Sequence, residues 1–320
     1  MLYKLLHFPA KLALLIWCRH LRINKKEILN ADGPLLIAAN HPNSFLDAIL
    51  LCSLFKRPLY SLARGDAFKN KFIHKLLLSL NMFPVYRVSE GVENLEENYK
   101  TFDECIEVFK KNGIVLIFSE GKCVNEWHLR QLKKGTARLA ITAWEQGIPL
   151  KVIPLGLNYQ SFKSFGKNVF LNFGHFISQQ DIPFAETESS GNKIQLFNTT
   201  LKTALQKLVL EIDINNSAVL KSTFQKNISL IKKFLLAIPA IAGYILHAPL
   251  YVPVQKFALK KFGKIDHYDS VTVALLFIIY PFYLIAVAII TCYFFGIWWP
   301  AVFLILPFCA WSYVQIKKQF

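Results

Sequence analysis

The 320-residue chain is short of acid: Asp and Glu number 21 against 37 Lys and Arg, a formal net charge of +16. It also lacks paired cysteines. The six stand alone at positions 18, 52, 105, 123, 292 and 309, with no Cys-x-x-Cys and no Cys/His cluster at zinc spacing. That pattern offers no disulfide framework and no structural metal, and it predicts free thiols in a reducing compartment. No Gly-x-Ser-x-Gly is present, so there is no nucleophile-elbow serine. There is no internal repeat and no low-complexity tract. Near the N-terminus the apolar stretch 12–17 is short, follows Lys11 and precedes no small-x-small site, which argues against a cleaved signal. Residues 271–314 contain no Asp, Glu, Lys, Arg or His, a gap more than twice the ~20 residues a spanning helix needs.

Apolar residues make up 53% of the chain, with 27 Phe and 12 Tyr, and the mean hydropathy is positive. Basic and apolar together predict a membrane-surface protein, because anionic lipid attracts Lys and Arg beside apolar surface. Nucleic-acid binding is the competing reading of the charge, but no nucleic-acid motif accompanies it. In residues 1–30, six cations face one acid, interleaved with Leu5, Leu6, Leu12, Leu15, Ile16 and Leu21. That suits a helix lying in the lipid interface; an ordinary amphipathic helix packed on the domain is the alternative. The charge-free gap fits two spans, roughly 271–293 and 297–314, joined by an aromatic turn at Phe295-Gly-Ile-Trp-Trp-Pro. Residues 234–254 are a third apolar stretch, broken by Pro239, Pro249 and Pro253. Spanning there would put the lysines at 256–264 across from Lys232 and Lys233, so it reads as interfacial or re-entrant.

Between these ends, residues 31–213 alternate strand-like and helix-like segments. Runs at 35–39, 59–63, 82–86, 114–118, 150–155 and 168–173 read as strands. Segments 44–54, 68–80, 93–111, 135–146 and 192–213 read as helices, the third with Leu95, Tyr99, Phe102, Ile106 and Phe109 on one side. This predicts an α/β domain with a mostly parallel or mixed sheet flanked by helices. Ahead of it comes an interfacial segment (1–30). After it comes a membrane region (224–320) ending in a transmembrane hairpin.

The chemistry is expected where the run 35–39 ends in Asn40-His41-Pro-Asn43-Ser44-Phe-Leu-Asp47. Within one helix, positions 41 and 47 would point ~120° apart. The two converge only if His41 precedes the helix, which Pro42 and a cap at Asn43 or Ser44 allow. Asp47, in the first turn, could then accept from imidazole Nδ1–H and leave Nε2 as a base. Alternatively, Ser44-Phe-Leu-Asp47 is a capping box, and Asp47 serves only the helix start. Glu120-Gly121 ends a buried strand at the same sheet edge, where open α/β sheets bind ligands. Glu120 there either orients a hydroxyl or pairs with Arg87. Arg87 can fork onto a phosphate or stand as a solvated charge after an edge strand, and Lys122, Lys133, Lys134 and Arg138 make either a basic patch for phosphate or the donor's head, or a solvated face.

The segment Asn40–Asp47 resembles the first sequence block of the glycerolipid acyltransferases, which include the glycerol-3-phosphate and 1-acylglycerol-3-phosphate acyltransferases. Arg87, after Met82-Phe-Pro-Val-Tyr, resembles the second block. Phe118-Ser119-Glu120-Gly121 resembles the third, usually Phe-Pro-Glu-Gly, and Lys134-Gly-Thr-Ala-Arg138 the basic helix start that follows. Val152-Ile-Pro-Leu resembles the fourth. The resemblance runs over most of residues 34–160. It implies a catalytic His41–Asp47 dyad, with Asn40, Asn43, Ser44, Arg87, Ser119, Glu120, Gly121, Lys122, Lys134 and Arg138 at the substrate. Two features depart from the family pattern. Five residues separate His41 from Asp47 where four are usual, as in some eukaryote-type glycerol-3-phosphate acyltransferases, and Ser119 stands for the proline.

The expected activity is transfer of a fatty acyl group from acyl-CoA or acyl-carrier protein to glycerol 3-phosphate or its 1-acyl form. Backbone N–H groups at the helix start would meet the oxyanion. The thioester is a co-substrate, and no cofactor or metal is expected. The expected place is the cytoplasmic face of a membrane, the bacterial inner membrane, with two spans and both termini cytoplasmic. A lysolipid acyltransferase with an amino-acid head-group acceptor, and a silent lipid-binding protein, are the alternatives.

Overall fold

The computed structural model describes residues 2–86, 95–185, 188–213 and 215–320. Helix α1 (Leu2–Trp17) leads into strand β1 (Cys18–Ile23), then β2 (Leu35–Ala39), α2 (Phe45–Leu54), β3 (Leu59–Arg64) and α3 (Lys71–Ser79). Next come β4 (Met82–Val85), α4 (Leu95–Lys110), β5 (Ile114–Phe118), α5 (Lys134–Glu145), β6 (Lys151–Tyr159), β7 (Lys167–Phe173) and α6 (Ser190–Gln206). The chain finishes with α7 (Ser217–Phe224), α8 (Leu230–Phe262), α9 (Tyr268–Phe295) and α10 (Val302–Ile316).

The seven strands form one sheet in the order β1-β7-β6-β2-β5-β3-β4, parallel except for the β6/β7 pair. Strand β2 lies near the middle because it has no polar residue to expose. Successive side chains on a strand point to opposite faces. Accordingly Leu36 and Ala38 enter the core shared with α4, α5 and α6. Leu35, Ile37 and Ala39 enter the other core, shared with α1 and α2. Strand β5 divides likewise, with Val115 and Ile117 on one side and Ile114 and Leu116 on the other. A strand buried on both faces reads as a continuous apolar run, which is how β2 and β5 appear in the sequence.

Three expectations need correction. Residues 1–30 are not one helical segment: the helix stops at Trp17, and residues 18–23 pair with β7 as an edge strand. Trp17 and Cys18 are buried, so the chain turns into the core there rather than along a lipid surface. The segment 234–254 is neither broken nor re-entrant, because α8 runs unbroken through Pro239, Pro249 and Pro253. It packs along α10: a Cβ on Gly243 would stand 2.1 Å from the Cys309 carbonyl oxygen, so the two backbones touch. Small residues at such crossings let apolar helices pack closely, and neighbouring helices tolerate the lost proline bonds. Finally, Tyr99 of α4 is exposed, although Ile106 and Phe109 are buried as expected. The first residues of the 93–111 helix expectation lie outside the described residues.

Among the described residues, two stretches are long and apolar enough to cross a membrane, Leu230–Phe262 and Tyr268–Ile316. The second contains α9, a short 3-10 turn at Gly296–Ala301, and α10.

Candidate active site

Strands β2 and β5 run side by side and in parallel, with Ala39 opposite Phe118. Their carboxyl ends therefore deliver His41 and Glu120 to the same edge, the usual ligand side of a parallel sheet. His41 lies in the loop before α2 and Asp47 in that helix's first turn. This removes the angular conflict that a shared helix would impose. Nδ1 of His41 stands 2.9 Å from Asp47 Oδ2.

Asp47 has no exposed surface. Its carboxylate also accepts from the Asn43 N–H at 2.9 Å and from the Tyr159 hydroxyl at 2.7 Å. All its partners are donors, so His41 must present Nδ1–H to it, leaving the Nε2 lone pair to face outward. The imidazole stacks on Phe118, centroids 4.0 Å apart and planes 10° from parallel. One face of the ring is thereby fixed.

Glu120 serves the loop rather than open solvent. Its two carboxylate oxygens accept the backbone N–H of His41 at 3.0 Å and of Arg130 at 2.9 Å. Burial pushes its carboxyl above the usual range, and these two N–H donors oppose that rise. Gly121 turns the chain with φ +66°, and a Cβ there would come within 2.9 Å of Lys133 Cγ. Glycine takes that conformation without steric cost.

The other expected residues separate into two groups. Asn40 is buried, and its side chain bonds the backbone of Leu157 as donor and acceptor, pinning β2 to β6. Asn43 is also buried, its amide donating to Asp269 Oδ2 at 2.7 Å. Ser119 is buried and accepts from the Thr136 hydroxyl. Asn40 thus spends its side chain on the protein, as do Ser119 Oγ and Asn43 Nδ2, while the buried Asn43 Oδ1 has no hydrogen-bond partner among the described residues. Ser44 occupies the N-cap position with φ 53° but makes no side-chain cap. Its Oγ lies 2.5 Å from His267 Nδ1, and its N–H donates to Cys123 Sγ. Lys122, Lys134 and Arg138 line one large cavity together with His41, Ser44, Ser119, Glu120 and Gly121. Arg87 lies outside the described residues. The helix-start N–H groups expected to meet an oxyanion are largely engaged: those of Ser44, Leu46 and Asp47 reach Cys123 Sγ, Ser270 Oγ and the Ser44 carbonyl.

The cavity holds about 2430 Å³. Apolar side chains of α1, α2 and α9, among them Leu14, Ile49, Phe277 and Ile278, form part of its wall. Cations form another part, with Arg64, Arg130 and Lys133 joining those above. Arg130 Nη1 is buried and has no hydrogen-bond partner among the described residues.

Several of these residues escape a reading of sequence alone. Tyr159 ends a buried strand and gives no sign that its hydroxyl reaches Asp47. Asp269 and His267 had a signal: the acids of Asp266-His-Tyr-Asp269 stand immediately before the charge-free run, where a polar anchor is unusual. Arg130 belongs to no block.

Residues 20–158 match the family model described as Acyltransferase. Among curated proteins no match is found. Among solved structures, the chain is similar to the 1-acyl-sn-glycerophosphate (LPA) acyltransferase PlsC from Thermotoga maritima. The identity is 16% and the TM-score 0.47, over 70% of this chain and 81% of that one. The matched residues, 20–158, are those that set the histidine on its aspartate, so this part of the chain is similar to the Acyltransferase family.

Proposed function

We propose that the chain is a membrane-bound O-acyltransferase that acylates a hydroxyl of glycerol 3-phosphate or 1-acylglycerol 3-phosphate from acyl-CoA or acyl-carrier protein. The observation that carries this is that His41, held by Asp47 behind it, lines a cavity walled by both apolar side chains and cations. A hydroxyl does not ionise near neutral pH, so the reaction needs a base. Nε2 of His41 takes the proton, and the freed oxygen attacks the thioester carbon. Collapse of the tetrahedral adduct breaks the C–S bond, and the thiolate leaves with the proton from the imidazolium. Asp47 holds the ring in the required tautomer and stabilises the imidazolium. No covalent acyl-enzyme and no cofactor enter the sequence.

The cavity exceeds the ~300–1,000 Å³ of drug-sized sites, which suits substrates with long alkyl chains. Arg130 Nη1, without a partner among the described residues and lining the same cavity as Lys122, Lys133 and Lys134, suits a phosphate-bearing substrate. Arg87 is assigned the acceptor phosphate by its block. The apolar helices α8 and α9 would hold this cavity at a membrane's cytoplasmic face, where anionic lipid complements the net positive charge.

His41→Ala is expected to abolish thiol release from acyl-CoA or acyl-carrier protein while leaving folding and membrane association intact. Near-full turnover in that variant refutes the mechanism. Arg87→Ala is expected mainly to raise KM for a phosphorylated acceptor. An unchanged KM would favour a lysolipid without a terminal phosphate, and a panel including amino-acid head groups would identify it.

A further inference from the structure

The catalytic loop is held from outside the family domain. Asn43 sits between His41 and Asp47 in sequence and has no exposed surface. It is fixed at three atoms. Its N–H donates to Asp47 Oδ2 at 2.9 Å. Its side-chain Nδ2 donates to Asp269 Oδ2 at 2.7 Å, and its carbonyl accepts from Ser270 Oγ at 3.0 Å. Two of these three anchors come from the first turn of α9, more than 200 positions away in the chain.

Asp269 is itself fixed. Lys167 of β7, fully buried, forms an ion pair with the same oxygen that Asn43 reaches. A lone buried charge is costly in either residue, so each keeps the other in place. Ser270 again and the residues just before the turn join in. Ser270 Oγ accepts from the Leu46 N–H at 3.4 Å, His267 lies against Ser44, and Asp266 accepts from the Asn125 N–H at 3.1 Å. Asn125 in turn donates to the Pro42 carbonyl at 2.7 Å. The loop has no N-cap bond of its own, since Ser44 makes none. The first turn of α9 supplies the restraint that a cap would otherwise give.

We propose that Asp269, braced by Lys167, is a positioning residue for acyl transfer: through Asn43 it sets the loop that places His41 on Asp47. This makes an apolar helix outside residues 20–158 a working part of the site. The inference rests on His41 being the base, as proposed above.

The test compares two double variants of the full chain, Asp269→Ala with Lys167→Met and Asp269→Asn with Lys167→Met. Both remove the ion pair and leave no lone buried charge. Only the second keeps an oxygen able to accept from Asn43 Nδ2. Kinetics are read as thiol release in detergent or vesicles, with His41→Ala run alongside. The expected result is a kcat at least tenfold lower for the alanine double variant than for the asparagine one. KM for donor and acceptor should be equal in the two, and unfolding midpoints matched. Equal kcat values overturn the proposal, as does a difference confined to KM. If the alanine double variant does not fold, Ser270→Ala decides. It leaves the ion pair untouched and removes the donor to the Asn43 carbonyl. It is expected to lower kcat at least threefold at constant KM, and an unchanged kcat overturns the proposal. An active His41→Ala would overturn this inference and the mechanism together. An inactive His41→Ala with equal double variants overturns this inference alone.

Discussion

Asp47→Asn is the most informative single substitution, because it removes the charge and keeps the shape. Three donors converge on the Asp47 carboxylate: His41 Nδ1, the Asn43 N–H and the Tyr159 hydroxyl. An asparagine offers one acceptor oxygen and one NH2. With the oxygen in the place of Oδ2 it still serves His41 and Asn43. The Tyr159 hydroxyl can rotate to accept from the new NH2. The fold should then lose only about 1–2 kcal/mol. The chemical step fares worse. An imidazolium and a carboxylate ~4 Å apart between charge centres attract by about 4 kcal/mol at an effective dielectric constant of ~20. That constant is appropriate because Asp47 is buried while the His41 side chain is 17% exposed. The retained neutral hydrogen bond returns about 1 kcal/mol. The transition state, in which the imidazole becomes charged, therefore loses about 3 kcal/mol, roughly a hundredfold in kcat. Asp47 touches no cavity surface, so KM for both substrates should stay within threefold. The assay is steady-state thiol release, with denaturant unfolding as the control for stability. A folded Asp47→Asn enzyme with kcat within fivefold of the parent would refute the reasoning, since the carboxylate would then only be capping its helix.

Tyr159→Phe deletes one bond to a buried carboxylate and should cost about 1.5–3 kcal/mol in denaturant unfolding. Because His41 keeps its own bond to Oδ2, kcat should fall tenfold or less. Glu120→Gln leaves one of the two backbone N–H groups of His41 and Arg130 without an acceptor, at about 1–3 kcal/mol, and should lower kcat by letting the His41 backbone shift. Glu120 also carries a pH signature. Burial raises its carboxyl in the folded state, so the folded protein holds that proton when the unfolded chain has released it. This group's contribution to stability therefore falls as pH rises from the ordinary carboxylate range to its raised value, and Glu120→Gln should abolish that slope in unfolding titrations.

The parts of the fold legible in sequence were those whose pattern is local. Strands β2 and β5 are uninterrupted apolar runs because both faces are buried, and α4 announces itself through the apolar stripe that holds Ile106 and Phe109. The His41–Asp47 contact was legible as a geometric condition, namely that the histidine precede the helix, and the structure meets it. Strand β1 was not legible. Cys18-Arg-His-Leu-Arg-Ile alternates like a helix margin, and only pairing with β7, nearly 150 residues later, makes it a strand. The same holds for Asn40 and Asn43, for which the first-block resemblance implied substrate contact. Their partners, Leu157 and Asp269, lie at separations no local pattern reveals. Prolines in α8 suggested breaks, but close contact with α10 at Gly243 supports the helix through them.

The edge strand β1 has a consequence for the order in which the molecule can be finished. Arg19 is buried on it, and its guanidinium donates to the carbonyls of Val314 and Lys317, while Gln315 donates back to the Arg19 carbonyl. Domains begin to fold from the N-terminus during synthesis. Here the first strand can reach β7 well before residues 314–317 exist, yet its buried cation then has no acceptors, and a polar group left unsatisfied in the interior is costly. The first strand can therefore pair early but settle only late, once residues 314–317 give Arg19 its acceptors.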